Sequence, residues 1–184
     1  MQMKSRIISQ IKNKLDFLIK DKEIIDLILF GSIIKGKTIP KDIDIAIILE
    51  KELTNILKEK IKNLKNFHMS IITLKEFFVN PPSIINTLFR EGYSLKNRRY
   101  LCENFKFSNK VLFKYSLTSL GASEKVKIVN ILRGKGKEKG LVETYNGEWL
   151  ANQVFIVPVS VSSLFEGFFN NFKLNFKRYY VLMH

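Results

Sequence analysis

Two short apolar segments separated by a glycine-containing basic loop constrain most strongly what this chain can fold into. Residues 24–30 (IIDLILF) and 43–49 (IDIAIIL) are rich in aliphatic and β-branched side chains, which is typical of largely buried strands. Gly31 and Ser32 follow the first segment directly, and the loop over residues 33–41 carries three lysines. This pattern predicts a strand, a tight turn, a loop and a second strand.

A pair of aspartates stands at the start of the second segment, with Asp42 directly before it and Asp44 as its second residue. At i and i+2 on an extended chain, both carboxylates leave the same face of the sheet. Two acids side by side repel unless a cation lies between them, and oxygen ligands at this spacing suit Mg²⁺. Gly31 lets the backbone approach a ligand, and Ser32 offers a hydroxyl and an N–H, which predicts a phosphate site. The alternative is a Gly-Ser turn before a solvated aspartate pair.

The run Phe30-Gly31-Ser32, nine further residues and then Asp42-Ile43-Asp44-Ile45 resembles the signature of the DNA polymerase beta type nucleotidyltransferases. The resemblance covers residues 24–75. It implies a small mixed sheet flanked by helices that binds Mg²⁺ and a nucleoside triphosphate such as ATP. The implied reaction transfers a nucleotidyl group to an acceptor and releases pyrophosphate.

The same resemblance implies roles for individual residues. Asp42 and Asp44 would be catalytic and would bind the metal, while Gly31 and Ser32 would bind the nucleotide phosphates. Two loop lysines are weaker nucleotide-binding candidates, with solvated loop side chains as the alternative: Lys35 and Lys37.

The third strand departs from the family pattern. In the family it usually brings a third carboxylate to a two-metal site, whereas residues 67–72 here read FHMSII. Ser70 stands where the acid is expected, and His68 lies on the same face two residues earlier. The missing acid weakens one of the two metal positions, so the resemblance implies binding of NTP and Mg²⁺ more strongly than turnover. His68 is a base, an acceptor-binding residue or an ordinary partly buried histidine.

The composition of the 184-residue chain narrows the class of protein further. A single cysteine, Cys102, excludes an intramolecular disulfide, and with only His68 and His184 beside it a structural zinc site is disfavoured. No apolar run has the length of a membrane helix, so we expect a cytoplasmic protein without a membrane partner. The net charge of +14 favours polyanionic partners, although an abundance of lysine alone would give the same charge.

The chain is predicted to form two α+β domains. The nucleotidyltransferase-like domain is expected over residues 1–92, a linker over 93–104 and a basic domain over 105–184. In the basic domain the order β-α-β-β-α-β predicts a ferredoxin-like fold. Its predicted elements are strands at 111–115, 141–145, 153–159 and 173–182, and helices from Ser123 and from Ser162 or Ser163.

The basic domain suggests further partners. Residues 96–184 carry 15 basic and 6 acidic side chains, which favours RNA binding. The Gly-Lys loop at 134–140 is either a phosphate-binding loop or an ordinary flexible one. Most of the many aromatic side chains belong in a core, and an exposed remainder could stack bases or form a homodimer interface. Two other functions stay open: a nucleotide- or RNA-binding protein that has lost turnover, and an antitoxin-like module that acts on a partner protein.

Overall fold

The computed structural model describes residues 2–36 and 42–184, and of residues 2–5 it describes only the backbone. The described residues form two compact units, the first ending at Phe107 and the second beginning at Ser108. Each unit combines helices with a sheet of its own. The predicted α+β fold with two parts is therefore confirmed.

The first unit is built on a mixed five-stranded sheet with the strand order β3-β2-β1-β4-β5. Its strands are β1 (Ile24–Phe30), β2 (Ile43–Leu49), β3 (Phe67–Thr73), β4 (Tyr93–Ser94) and β5 (Arg99–Tyr100). β1 is antiparallel to β2 and β4, and β4 is antiparallel to β5, whereas β2 and β3 are parallel. The two strands predicted on either side of the basic loop have the expected bounds.

Short helices flank this sheet. They are α1 (Gln2–Lys14), α2 (Asp16–Ile19), α3 (Asn55–Lys62), α4 (Leu74–Phe78), α5 (Ile84–Glu91) and a 3-10 helix (Leu101–Phe105). Two threonines set where helices begin, because each side-chain oxygen accepts a backbone N–H of the first turn. Thr54 does so for α3, and Thr73 forms a capping box with Glu76 at the start of α4.

The core of the first unit lies on both faces of the sheet. On one face, side chains from β1, β2 and β3 pack with residues of α4, α5 and the 3-10 helix. The buried members of this cluster are Ile28, Ala46, Ile48, Ile72, Phe77, Ile85, Leu88 and Leu101. Leu27 and Leu29 alternate onto the other face, and α2, with Leu18 fully buried, contacts β1. Both central strands are therefore covered on two sides, and their side chains have little freedom to shift.

The segment predicted as a linker, residues 93–104, is instead part of the first unit. It contributes β4, β5 and most of the 3-10 helix, and three of its apolar side chains are buried: Leu95, Leu101 and Cys102. The hydroxyl of Ser94 donates to buried Asp26 Oδ1 over 2.8 Å, and Asn97 Nδ2 donates to Asp26 Oδ2 over 3.3 Å. Two polar side chains of the predicted linker therefore bind a buried carboxylate of the sheet.

The second unit is a four-stranded antiparallel sheet with the order β7-β8-β6-β9. Its strands are β6 (Ser108–Tyr115), β7 (Glu148–Ala151), β8 (Val154–Pro158) and β9 (Phe176–Met183). Its helices are α6 (Ala122–Arg133), α7 (Leu141–Thr144), α8 (Ser162–Asn171) and a 3-10 helix (Val159–Val161). Strand order and antiparallel pairing are those of a ferredoxin-like βαββαβ domain, as predicted, with α7 and the 3-10 helix added.

The predicted strand at 141–145 is wrong. These residues form the short helix α7 after Gly140, and the strand follows at Glu148–Ala151. The helical turn places Val142 in the core with no exposed surface, and Thr144 donates its N–H to Gly140 O over 3.0 Å. Four residues are too few for a hydrophobic period to separate a helical turn from a strand.

Aromatic side chains fill the core of the second unit. The ring of Phe113 lies 5.5 to 6.1 Å from those of Phe155, Phe165, Phe169 and Phe176. Offset and tilted pairs at this spacing stabilise a core beyond their buried area. Most of the aromatic residues are therefore structural. Within residues 2–36 and 42–184, no helix combines the length and apolarity needed to cross a bilayer.

Candidate active site

Asp44 lies where three strands meet. β1 ends at the point where antiparallel β2 begins, and parallel β3 begins beside it, so Phe30, Asp44 and His68 are direct neighbours across the sheet. Asp44 Oδ1 lies 3.2 Å from His68 Nδ1. The Asp44 side chain is 29% exposed and that of His68 is 75% exposed. A carboxylate with one side against the protein and one toward solvent is well placed to meet a ligand.

Gly31 brings the turn after β1 against this carboxylate. Its φ is +79°, a conformation that favours glycine, and a Cβ at this position would lie 2.3 Å from Asp44 Oδ2. No side chain larger than hydrogen fits without moving Asp44. Gly31 is thus required by both the backbone conformation and the close approach to Asp44.

Glu91 anchors the same turn. It is the last residue of α5 and only 1% exposed. The N–H of Gly31 donates to Glu91 Oε1 over 3.1 Å, and Lys35 Nζ lies 3.1 Å from Glu91 Oε2. The Gly31 N–H, predicted to bind phosphate, is therefore bonded to a carboxylate in this structure, and partly exposed Ser32 is the next donor in the turn.

Glu91 is a site residue that the sequence motif does not include. An acid at the end of an apolar helix, directly before Gly92, was the available signal. Helix C-termini disfavour negative charge, so an acid there needs a nearby positive partner or N–H donor. Lys35 and Gly31 supply both.

The other predicted site residues are placed less closely together. Asp42 is exposed and lies in the bend before β2, one residue outside the strand. Ser70 pairs with Ala46, so it shares the face of Asp44 and His68 but lies one pair deeper in the sheet. His68, and not Ser70, is the β3 residue beside Asp44. Lys37 lies outside the described residues.

The donor set suits Mg²⁺ bound jointly with a substrate. Among residues 2–36 and 42–184, no group of three or more His, Cys, Asp or Glu side chains is placed to hold a metal ion. Mg²⁺ commonly uses only one or two carboxylates and takes its remaining ligands from water and substrate phosphates. Asp44 fits that role, since its carboxylate lies against the Gly31 turn, and Asp42 is an exposed carboxylate two residues before it in sequence.

Comparison with known proteins decides the family. The sequence profile of the family Polymerase beta, Nucleotidyltransferase matches residues 10–116, which is more than half of the chain. The chain belongs to this family. The matched residues of this nucleotidyltransferase-family chain include the Gly31-Ser32 turn, the Asp42-Ile43-Asp44 segment, His68 and Glu91.

Other comparisons add little to the family assignment. One similar solved structure is that of a tri-AMPylated HEPN toxin of Shewanella oneidensis in complex with an MNT antitoxin. The likeness has 22% sequence identity and a TM-score of 0.32, and it covers 48% of this chain and 71% of that chain. No curated protein matches the chain.

Proposed function

We propose that this chain transfers a nucleotidyl group from a nucleoside triphosphate to an acceptor hydroxyl and releases pyrophosphate. The observation that carries the proposal is the closeness of the Gly31 turn to Asp44, where a Cβ on Gly31 would lie 2.3 Å from Asp44 Oδ2. A turn able to hold phosphates thus lies against a carboxylate able to hold a divalent cation. The family match over residues 10–116 supports the same reaction class.

Each residue of the site has a proposed role. Asp42 and Asp44 would hold Mg²⁺ together with oxygens of the triphosphate, and the bound ion would stabilise charge on the phosphates. Ser32 and the Gly31 turn bind the phosphates. Lys35, held by Glu91 at 3.1 Å, and Lys37 contribute positive charge to the same loop.

The reaction forms one bond to phosphorus and breaks another. The acceptor oxygen bonds to the α-phosphorus, and the bond from that phosphorus to the oxygen bridging to the β-phosphate breaks, so pyrophosphate leaves with the electron pair. We assign the acceptor proton to His68. We assign His68 the tautomer in which Nδ1 donates to Asp44 Oδ1, 3.2 Å away, so that Asp44 orients the ring and Nε2 is the acceptor.

The proposed substrates are ATP or another NTP and, as acceptor, the 3′ end of an RNA. Both are available in the cytoplasm, where we place the protein. The competing function is nucleotide binding without turnover. One observation favours it, because β3 supplies His68 and Ser70 where the family usually supplies a carboxylate. An antitoxin-like module that modifies a partner protein uses the same chemistry with a different acceptor.

Calorimetric titration of the whole chain with each of the four NTPs tests the site. We expect at least one NTP to bind with Mg²⁺ and to bind at least tenfold more weakly with EDTA. Asp44→Asn should lose the Mg²⁺-dependent affinity. Asp16→Asn is a matched control, since it removes one partly exposed carboxylate from the surface helix α2. Absence of Mg²⁺-dependent binding for every NTP would overturn the proposal.

A further inference from the structure

The second sheet has one face covered by helices and one strip on the opposite face that is open. On β6, the side chains of Val111, Phe113 and Tyr115 are buried, and Phe113 packs against Phe165 and Phe169 of α8. The residues that alternate with them point to the other face of the sheet. That face carries Lys110, Leu112 and Lys114 on β6 and Lys177, Tyr179 and Val181 on β9.

Two like charges stand directly opposite each other on this face. Lys114 pairs with Lys177 in the β6/β9 register, and both side chains are exposed. Directly opposed side chains are about 5 Å apart at Cβ, and like charges at that distance destabilise a sheet. None of the ion pairs found among the described residues involves either lysine or nearby Lys110. A bound polyanion would remove the repulsion.

An exposed aromatic ring lies between the lysines. On this face of the sheet, the pair next to Lys114 and Lys177 is Leu112 with Tyr179. The following pair on the same face is Lys110 with Val181. Tyr179 is 50% exposed. Successive pairs on one face are about 7 Å apart, so Lys114 and Lys110 lie about 13 Å apart on either side of the tyrosine. We call Lys110, Lys114, Lys177 and Tyr179 the lysine-tyrosine strip.

This combination fits a single-stranded nucleic acid better than an acidic peptide. A single strand offers alternating phosphates and unstacked bases, and each base can stack on an exposed aromatic ring while lysines neutralise the phosphates. An acidic peptide would use the lysines but would gain no stacking from Tyr179. Ile156, next to Leu112 on β8, is only 3% exposed, so the open strip is confined to β6 and β9.

We propose that the lysine-tyrosine strip binds single-stranded nucleic acid, with a base stacked on Tyr179 and phosphates at Lys110, Lys114 and Lys177. The strip belongs to the second unit and shares no residue with the Gly31 and Asp44 site. Binding does not require the proposed nucleotidyl transfer, because none of the four residues belongs to that site. Strand binding is therefore measured without NTP and Mg²⁺, so that its outcome does not depend on nucleotidyl transfer.

Fluorescence anisotropy with a labelled 20-nucleotide RNA tests the proposal, with DNA of the same sequence and an RNA duplex as further arms. Lys114→Gln/Lys177→Gln should weaken single-strand binding at least tenfold. In a plot of the logarithm of the binding constant against the logarithm of the salt concentration, the double variant should have a slope that is shallower by about 1.4. Lys135→Gln/Lys137→Gln is the matched control, since it removes the same charge from the Gly-Lys loop. The control should stay within threefold of the wild type. Equal losses in both double variants, or no single-strand binding at all, would overturn the proposal.

The aromatic contact has its own test. Tyr179→Ala should weaken binding at least fivefold, and Tyr179→Phe should restore it because the ring is kept. Competition with polyglutamate should require a large excess over unlabelled RNA, and equal competition would assign the strip to acidic peptides instead. Because Lys177→Gln removes a like-charge pair, its thermal midpoint should equal or exceed that of the wild type. A lower midpoint would contradict the unrelieved repulsion on which the proposal rests.

Discussion

The backbone N–H of Gly31 donates a hydrogen bond to the carboxylate of Glu91 over 3.1 Å, across 60 positions of sequence. This contact joins the turn that faces Asp44 to the end of helix α5. The same carboxylate holds Lys35, so one buried acid fixes both ends of a five-residue turn. The position of the candidate phosphate site therefore depends on a helix that carries none of the site residues predicted from sequence.

Loss of the Glu91 carboxylate should destabilise the first unit. Glu91→Ala removes the acceptor of the Gly31 N–H and an ion-pair partner of Lys35, and we expect a loss of about 3 kcal/mol in the free energy of unfolding. Urea denaturation followed by circular dichroism measures it. Glu103→Ala replaces an exposed acid in the 3-10 helix Leu101–Phe105, and it should change the free energy of unfolding by less than about 0.5 kcal/mol. Equal stability of the two variants would show that Glu91 does not anchor the turn.

A methyl group at Gly31 should disrupt the site far more than backbone strain alone. Gly31 and Gly136 both have positive φ, +79° and +64°, but an added Cβ would meet Asp44 Oδ2 at 2.3 Å on Gly31 and open space on Gly136. Gly136→Ala should cost about 1 kcal/mol of stability and leave NTP binding intact. Gly31→Ala should abolish Mg²⁺-dependent NTP binding in calorimetry. Wild-type affinity in Gly31→Ala would contradict the close approach to Asp44.

Asp26 should make stability depend on pH in a predictable direction. Burial raises the pKa of Asp26, and hydrogen bonds from Ser94 and Leu27 oppose part of the increase. The folded protein then holds the proton more tightly than the unfolded chain. The contribution of Asp26 to the free energy of unfolding is greatest at pH values below its ordinary pKa of 3.8. This contribution is lost as the pH rises through the raised pKa of the folded protein.

The comparison with Asp26→Asn isolates this effect, because the other titrating groups are common to both proteins. The wild-type free energy of unfolding minus that of the variant should fall as pH rises from about 3, with a slope of at most about 1.4 kcal/mol per pH unit. Urea titrations at a series of pH values measure the difference. A difference that grows with pH would mean that the carboxylate is stabilised in its charged form.

His68 and Ser70 should differ in their effect on turnover. His68→Ala removes the proposed proton acceptor beside Asp44 and should lower kcat by about 10² to 10⁴ while NTP affinity changes by less than about fivefold. Ser70→Ala, one pair deeper on the same strand, should leave kcat within about threefold. Steady-state kinetics of pyrophosphate release gives both values. A larger loss of kcat in Ser70→Ala than in His68→Ala would contradict the role of His68 as proton acceptor and would assign the essential residue of β3 to Ser70.

The sequence predicted the parts of the fold that local patterns determine. The strands at 24–30 and 43–49 have strongly apolar character over seven residues, and both are present with those bounds. The ferredoxin-like order of the second unit also follows from its element sequence. The predicted linker at 93–104 was wrong, because the structure of this segment depends on a tertiary partner, the buried carboxylate of Asp26. The predicted strand at 141–145 was wrong, because four residues are too few for a hydrophobic period to separate a helical turn from a strand.

The candidate site was only partly accessible from sequence. Gly31, Ser32, Asp42 and Asp44 lie within 14 positions of one another, so a motif with fixed spacing can group them. Glu91 comes from a helix almost fifty positions after Asp44 and has no motif of its own. Which of His68 and Ser70 lies beside Asp44 depends on the register of β2 against β3. The spacing of residues along a single strand does not determine that register.

The products formed from an α-labelled NTP test nucleotidyl transfer most directly. The wild-type chain is incubated with each α-³²P-labelled NTP, Mg²⁺ and an RNA oligonucleotide, and the products are separated by chromatography. We expect the label to enter the RNA, or to appear as NMP when water is the acceptor, with pyrophosphate released in equal amount. Asp44→Asn should lower this rate at least 100-fold, and Asp16→Asn should not. Formation of NDP and phosphate, or an unchanged rate in Asp44→Asn, would contradict the proposed reaction.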